Sequence, residues 1–236
     1  MKQKIKIFVG YDSRQDSTPN YNDIVNSPYQ VCSASIKKYN PEVSVVPIKL
    51  NELIDRGIYK RELDPLASTE FTYSRFLTPY LNNFEGIAVF CDSDFLWQCN
   101  IEDIMQYYSK KYSVMCVKHD YIPKSEQKMD GYKQTVYPRK NWSSLMLFNC
   151  SHIDCKNLTP ENINTKSPKY LHRFEWTADE NIGSLPLHFN WLEGEYSNKI
   201  KSKFIKAFHY TNGGPWYSSY EGDYKNEWVN IYNSLV

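Results

Sequence analysis

Asp92-Ser93-Asp94 follows directly on Ile87-Ala88-Val89-Phe90-Cys91, the most strand-like run in the first half of the chain. In an extended segment, residues two apart project from one face. Both carboxylates are therefore expected to point together just beyond the carboxyl end of a buried strand. Two hard oxygen donors there suit Mg²⁺ or Mn²⁺ bridging a diphosphate, and that edge of an open α/β sheet is where ligands bind. Asp-x-Asp alone is a pattern that chance supplies. Its position gives it weight, because two aspartates at the edge of low dielectric repel each other unless a cation lies between them; a solvated strand end is the plain alternative. His209 closes the last strand-like run, and Gly213-Gly214 comes soon after. An imidazole beside two carboxylates favours Mn²⁺ over Ca²⁺, and the glycines would let backbone N–H groups approach a phosphate. Taken alone, a histidine after a strand is more often a satisfied structural residue. Cys150 and Cys155 lack the second pair of ligands that a zinc site needs.

The elements that must position these residues alternate short apolar runs with longer helical patterns, the signature of βαβ units around a mostly parallel sheet. Strands are expected at Lys4 to Val9, Val43 to Ile48, Ile87 to Cys91, Tyr112 to Val117, Ser144 to Phe148 and Phe204 to His209. Helices are expected at Ile24 to Tyr39, at Thr69 to Leu81 with Ser68 as N-cap and Pro79 disturbing its last turn, at Ile101 to Tyr108, and at Thr177 to Leu185. The segment from Ser151 to His172 is polar and turn-rich, and a loop from His119 to Asn141 holds Lys124, Lys128, Lys133, Arg139 and Lys140. Without repeat or clear linker, the 236 residues are expected to form a single domain. The formal net charge of +1, from 28 Lys+Arg against 27 Asp+Glu, excludes a dedicated nucleic-acid binder, whose footprint is strongly basic. The 16% aromatic share suits either a sugar-gripping site or a tyrosine-rich core, and Tyr132, Trp142, Trp191 and Trp216 are candidate walls. His119-Asp120, after a strand, is a further candidate for the cleft. No apolar run reaches the ~18–20 residues of a membrane span, and the basic start has too short an apolar stretch for a secretory signal. A cytoplasmic protein with reduced thiols is expected.

Six elements in order resemble the nucleotide-sugar glycosyltransferases of the GT-A (Rossmann-like) fold, most closely glycosyltransferase family eight, which includes glycogenin and bacterial galactosyltransferases. They are Ile7-Phe8-Val9-Gly10-Tyr11-Asp12, Tyr73-Ser74-Arg75-Phe76, Phe90-Cys91-Asp92-Ser93-Asp94, Trp142 to Asn149, Asp179-Glu180, and His209 to Trp216. The resemblance spans nearly the whole chain. It implies an α/β fold with a mixed, mostly parallel sheet flanked by helices, whose nucleotide-binding half is about 1–118 and whose sugar and acceptor half is about 119–236. It also implies that Asp92, Asp94 and His209 hold Mn²⁺ (or Mg²⁺) within the Asp92-Ser93-Asp94 motif. Phe8, Val9, Gly10, Tyr11 and Asp12 would hold base and ribose, and Arg75 would reach the sugar-phosphate. Ser143 and Ser144 would lie under the donor sugar, Asp179 would bind sugar hydroxyls, and Glu180 would stand near the anomeric carbon.

The resemblance further implies metal-dependent transfer of a sugar from a nucleoside diphosphate, UDP before others, to a glycan or other hydroxyl acceptor, as in polysaccharide biosynthesis, with retention of configuration. The departing diphosphate needs charge stabilisation against an oxocarbenium-like state. Several positions depart from the family pattern. Ser144 replaces a usual glycine, Trp142 an asparagine and Glu180 a glutamine, so that Glu180 as base or nucleophile would alter the mechanism. The closing motif is one residue shorter and lacks its phosphate-binding lysine, Gly214 standing before Pro215; Arg139 and Lys140 are the candidate replacements. A nucleotide-sugar or glycan-binding module without activity is one alternative. A sugar-phosphate nucleotidyltransferase is the other, though Gly10-Tyr11-Asp12-Ser13-Arg14 lacks that class's Gly-rich phosphate loop.

Overall fold

The computed structural model describes residues 5–16, 27–62, 67–124, 127–129, 131, 137–197 and 199–236. The first half of the chain contains β1 (Lys6–Gly10), α1 (Ser27–Tyr39), β2 (Ser44–Ile48), α2 (Leu50–Asp55), α3 (Thr78–Leu81), β3 (Ile87–Cys91), β4 (Phe95–Trp97), α4 (Ile101–Met105) and β5 (Val114–Cys116). The second half contains β6 (Leu145–Asn149), α5 (Pro160–Thr165), α6 (Pro168–His172), β7 (Ile182–Ser184), β8 (Trp191–Leu192), β9 (Ala207–His209) and α7 (Lys225–Tyr232).

One sheet has six strands in the order β2-β1-β3-β6-β5-β7. β1 is parallel to β2 and β3, β6 is antiparallel to β3 and β5, and β7 is parallel to β5, so β6 alone is reversed. Both faces of this sheet are covered, which is why its strands read as continuous apolar runs rather than alternating ones. Phe8, Ala88, Phe90, Met146 and Phe148 face a core shared with α2, α5 and α6, through Leu53, Ile163 and Leu171. Their chain neighbours Ile7, Val9, Val89, Cys91 and Leu147 face the opposite core, with Cys32 and Ile36 of α1 and Ile104 of α4. A second sheet, β4-β9-β8, packs Leu96, Phe208 and Trp191 against Val31 of α1 and Trp228 and Ile231 of α7. α1 thus lies between the two sheets. This mixed α/β architecture is the one expected.

The expected strand Ile87 to Cys91 is met at both ends, the other strands differ by up to three residues at one end or both, and two expected helices are not formed as such. Residues 69–81 form a turn, a 3-10 segment (Ser74–Leu77) and only then α3, with Pro79 in its first turn. Proline has no N–H to give to the preceding turn but suits a helix start, so it begins a helix instead of disturbing the end of one; Ser68 lies in a bend and caps nothing. In place of a helix over Thr177 to Leu185, a 3-10 turn (Asp179–Asn181) leads into β7. The Asp154 carboxylate accepts from Thr177 Oγ1 (2.5 Å) and Asn181 Nδ2 (2.8 Å), pinning both ends of that turn. Residues 202–204 are likewise 3-10, so the last long strand shortens to β9. Lys4, the Ile24 start of the first helix, Tyr132 and Lys133 lie outside the described residues. All six cysteines are buried free thiols.

Gly10 ends β1 under the Phe71 ring, which a Cβ there would meet at 2.5 Å. Gly10→Ala is therefore expected to lower unfolding stability by about 1–3 kcal/mol through overpacking, read from urea denaturation midpoints.

Candidate metal centre

Three elements build the centre. Ser93 and Asp94 form a tight turn that carries the chain from β3 of the large sheet into β4 of the small one. The two carboxylates therefore converge through a turn, where the sequence pattern suggests one extended face. Asp92 N–H donates to Ser144 O (3.0 Å), tying the turn to the start of β6. β9 pairs antiparallel with β4, setting His209 opposite Phe95, and Tyr210 N–H donates to Asp94 O (3.0 Å). One ligand atom each from Asp92, Asp94 and His209 lies within 4.8 Å of the others.

The donor set fits a divalent cation. Oδ1 of Asp92 and Oδ1 of Asp94 are buried and receive no aligned hydrogen bond, and the one guanidinium beside the pair, that of Arg75, faces Asp92, so further positive charge between them is favourable. His209 Nε2 lies 3.3 Å from Asp94 Oδ1, with the imidazole stacked on Phe95 at 4.5 Å. Two carboxylates and an imidazole are ligands of the intermediate hardness that Mn²⁺ accepts. Burial pushes the Asp92 carboxyl up to about 6 despite the opposing charge of Arg75, with Asp94 adding to the rise. Burial also acts to raise Asp94, but the neighbouring His209, followed by the charge of Lys128, outweighs it and leaves that carboxyl below its ordinary value.

Arg75 is expected at the sugar-phosphate. Its guanidinium lies between the Phe71 and Phe90 rings (5.2 and 5.3 Å) and faces Asp92 Oδ1 at 2.7 Å. The approach is an ion pair without hydrogen-bond alignment, and Nη1 also donates to Ser143 O (3.2 Å). Ser143 Oγ meets His172 Nδ1 at 3.0 Å, and Ser144 Oγ donates to Asn141 O at 2.7 Å. Ser93 is buried inside the acidic turn.

The other expected residues are spread more widely. Phe8 and Val9 are core side chains on opposite faces of the sheet. Asp12 caps the 3-10 turn Ser13–Gln15 and pairs with Arg14 (2.6 Å), while Tyr11 O–H donates to Asp16 (2.7 Å) under Lys49. Gly213 has a φ of 111°, its N–H donates to Tyr210 O (3.0 Å), and Met129 packs against its open face. Gly214 packs against the Trp216 ring. Asp179 is exposed and held by Arg139 at 2.6 Å, and Glu180 is exposed beside it. Both precede β7, the outer strand, three positions across the sheet from β3. Trp191 and Trp216 are buried, whereas Trp142 is half-buried, carries Lys118 and Arg139 over its ring, and donates Nε1–H to His119 O (3.0 Å). His119 is buried against Tyr196 O–H (2.6 Å) and is pushed down to about 3 by burial and then by the charge of His209, while Asp120 is exposed.

Two residues at the centre escape the sequence reading. Asn190 Oδ1 lies 2.9 Å from His209 Nδ1; the one signal is a buried amide inside the aromatic run Leu187-His188-Phe189-Asn190-Trp191-Leu192. Lys128, notable in the sequence only as part of a basic loop, acts on both Asp92 and Asp94. It is brought there by Met129 N–H, which donates to Asn212 O at 2.9 Å. A separate cavity of about 480 Å³ over β2 and α2, lined by Phe8, Leu53, Tyr80 and Phe84 among others, includes none of the three candidate ligands.

No protein-family model matches the chain. Protein CDI of Arabidopsis thaliana is 46% identical to it over 235 residues, covering 97% of this chain and 86% of that protein. The chain belongs to the Protein CDI family. Among solved structures, the WbbM bifunctional glycosyltransferase superposes with a TM-score of 0.64 at 14% identity, over 98% of the CDI-family chain and 50% of WbbM. The glycosyltransferase GlyE of Streptococcus pneumoniae TIGR4 gives 0.63 at 11% identity, over 97% of this chain and 60% of GlyE. The galactosyltransferase LgtC, solved with donor and acceptor sugar analogues, gives 0.56 at 9% identity, over 97% and 95% of the two chains. The CDI-family chain thus has the GT-A glycosyltransferase fold, and it spans half of WbbM and 60% of GlyE. No helix among the described residues is long and apolar enough to cross a membrane.

A protonated Asp92 is no cation donor, so Mn²⁺ affinity of this CDI-family protein is expected to weaken as pH falls through about 6. Calorimetric titration at pH 7.5 and at pH 5 reads this directly. Asp94→Ala should abolish the binding at both values, and equal wild-type affinity at the two would contradict it.

Proposed function

We propose that this protein is a metal-dependent glycosyltransferase that moves a sugar from a nucleoside diphosphate, UDP first among candidates, to a hydroxyl acceptor, with retention and in the manner of family eight. The observation that carries the reading is the convergence of Asp92, Asp94 and His209 at the edge of a GT-A sheet, with two buried carboxylate oxygens that receive no aligned hydrogen bond. On this reading the whole chain acts as one domain, with the nucleotide in the half 1–118 and the sugar and acceptor in the half 119–236. A Mn²⁺ or Mg²⁺ ion held by the three residues would supply Lewis-acid stabilisation of the diphosphate as it leaves.

The chain's own residues have distinct parts in the proposal. Arg75 holds Asp92 ionised and oriented from its aromatic slot. Phe8 to Asp12, at the end of β1, border the nucleoside. Ser143 and Ser144 floor the sugar site, Asp179 holds sugar hydroxyls while Arg139 orients it, and Glu180 is the carboxylate offered to the anomeric side. Diphosphate charge falls to Lys128 and Lys140. Arg139 is engaged with Asp179 and with Arg173 O, and the Gly213 N–H with Tyr210 O, so this reading favours the two lysines over them. Lys140 is pushed down to about 8 by burial and by the neighbouring charge of Lys128, and an anion placed between two such cations relieves their repulsion.

Incubation with a panel of UDP-sugars and Mn²⁺ tests the reading: slow release of UDP is expected, and none from Asp94→Ala. Lys128→Ala should raise the donor KM about tenfold, the loss of one charged phosphate contact. Donor binding without turnover would instead identify a binding module, and pyrophosphate chemistry with UTP and a sugar phosphate would identify a nucleotidyltransferase.

A further inference from the structure

His209 is 2% exposed, and both of its ring nitrogens face protein. Nε2 looks toward Asp94, 3.3 Å away, and Nδ1 toward Asn190 Oδ1, 2.9 Å away. Asn190 is fully buried, and its Nδ2 donates to Ser144 Oγ at 2.9 Å. Ser144 Oγ in turn donates to Asn141 O at 2.7 Å. The direction of every hydrogen in this series is set from its far end. A backbone carbonyl only accepts, so the single hydroxyl hydrogen of Ser144 goes to Asn141. Ser144 Oγ is then left as an acceptor and must receive the amide N–H of Asn190. That fixes the amide with its oxygen toward the imidazole, and an amide oxygen only accepts, so Nδ1 carries the ring hydrogen. The Nε2 lone pair is left pointing at the two carboxylates.

We propose that Asn190, oriented by Ser144, is a positioning residue that fixes His209 in the tautomer able to bind a cation through Nε2. The proposal rests on the metal-binding reading of the three residues above. It also gives Ser144 a task that a glycine at that position has no atom to perform. A reversed amide would set its oxygen against the Ser144 lone pairs, whose one hydroxyl hydrogen is already given to Asn141 O. Buried polar groups left unpaired in this way are costly, so the relay has one favoured polarity. Partners behind a metal-bound histidine commonly tune metal affinity by about 10–100-fold.

Nitrogen NMR of the histidine side chains at pH 8 without metal, with His209 assigned by the loss of its signals in His209→Gln, should show the Nδ1–H form. Asn190→Leu should shift it toward Nε2–H and raise the Mn²⁺ dissociation constant about 10–100-fold. Ser144→Ala, which removes only a hydroxyl, should move both readouts the same way by less, and it serves if Asn190→Leu does not fold. Asn190→Asp, whose carboxylate also accepts from Nδ1–H, should restore the tautomer. An Nε2–H form in the unsubstituted protein, or an unchanged tautomer and dissociation constant in Asn190→Leu and Ser144→Ala, would overturn the relay. If the unsubstituted protein binds no Mn²⁺, the metal reading fails while the tautomer measurement still decides the relay.

Discussion

Two carboxylate oxygens and an imidazole nitrogen are held close to one another, and neither of the oxygens receives an aligned hydrogen bond. In water such a cluster would disperse, because each acceptor would rather face a donor. Here the backbone leaves it no such choice. Asp92 is tied to β6 through Ser144, and Asp94 to the residue after His209 through its own carbonyl. Rigid framing of an acceptor-only cluster makes positive charge at its centre favourable, and the remaining polar features of the region answer to that demand. Arg75 balances one carboxylate from behind, and Lys128 acts on both from its loop.

The cluster exists because two sheets meet at it. β3 ends in the large sheet, and within one turn the chain enters β4 of the small sheet, whose partner β9 delivers His209. α1 fills the angle between the sheets with Val31 on one side and Cys32 and Ile36 on the other. The relative placement of the sheets is thus set by a packed apolar interface, which tolerates little adjustment. This is why residues far apart in sequence can be held within 4.8 Å of one another without a covalent link.

Much of this is legible in the sequence. β3 can be read to the residue, since a strand buried on both faces is apolar throughout and Gly86 and Asp92 bracket it. The acidic pair stands out because it follows that strand, and His209 because it closes another. The illegible parts have physical causes. β4, β7 and β8 are two or three residues long and carry too few side chains to show a period. The 69–81 segment looks helical in its apolar spacing, yet Pro79 cannot donate to the turn before it. The convergence of the carboxylates through a turn, the engagement of Arg75 with Asp92, and the place of Lys128 all depend on contacts between segments distant in the chain. Trp191 and Trp216, candidate walls by type, go to the core, where large aromatic side chains bury the most area.

Asn141 adopts a left-handed backbone, with a φ of 62°, and its side chain is moored to Tyr121 and Thr211. Asparagine is among the few residues other than glycine that visit this region readily. The twist turns its carbonyl onto Ser144, where it receives both the N–H at 3.3 Å and the hydroxyl at 2.7 Å. A torsion angle in a surface-bordering loop thereby dictates which edge of a remote aromatic ring is basic, and a proline or β-branched residue introduced there would scramble that message without touching any ligand.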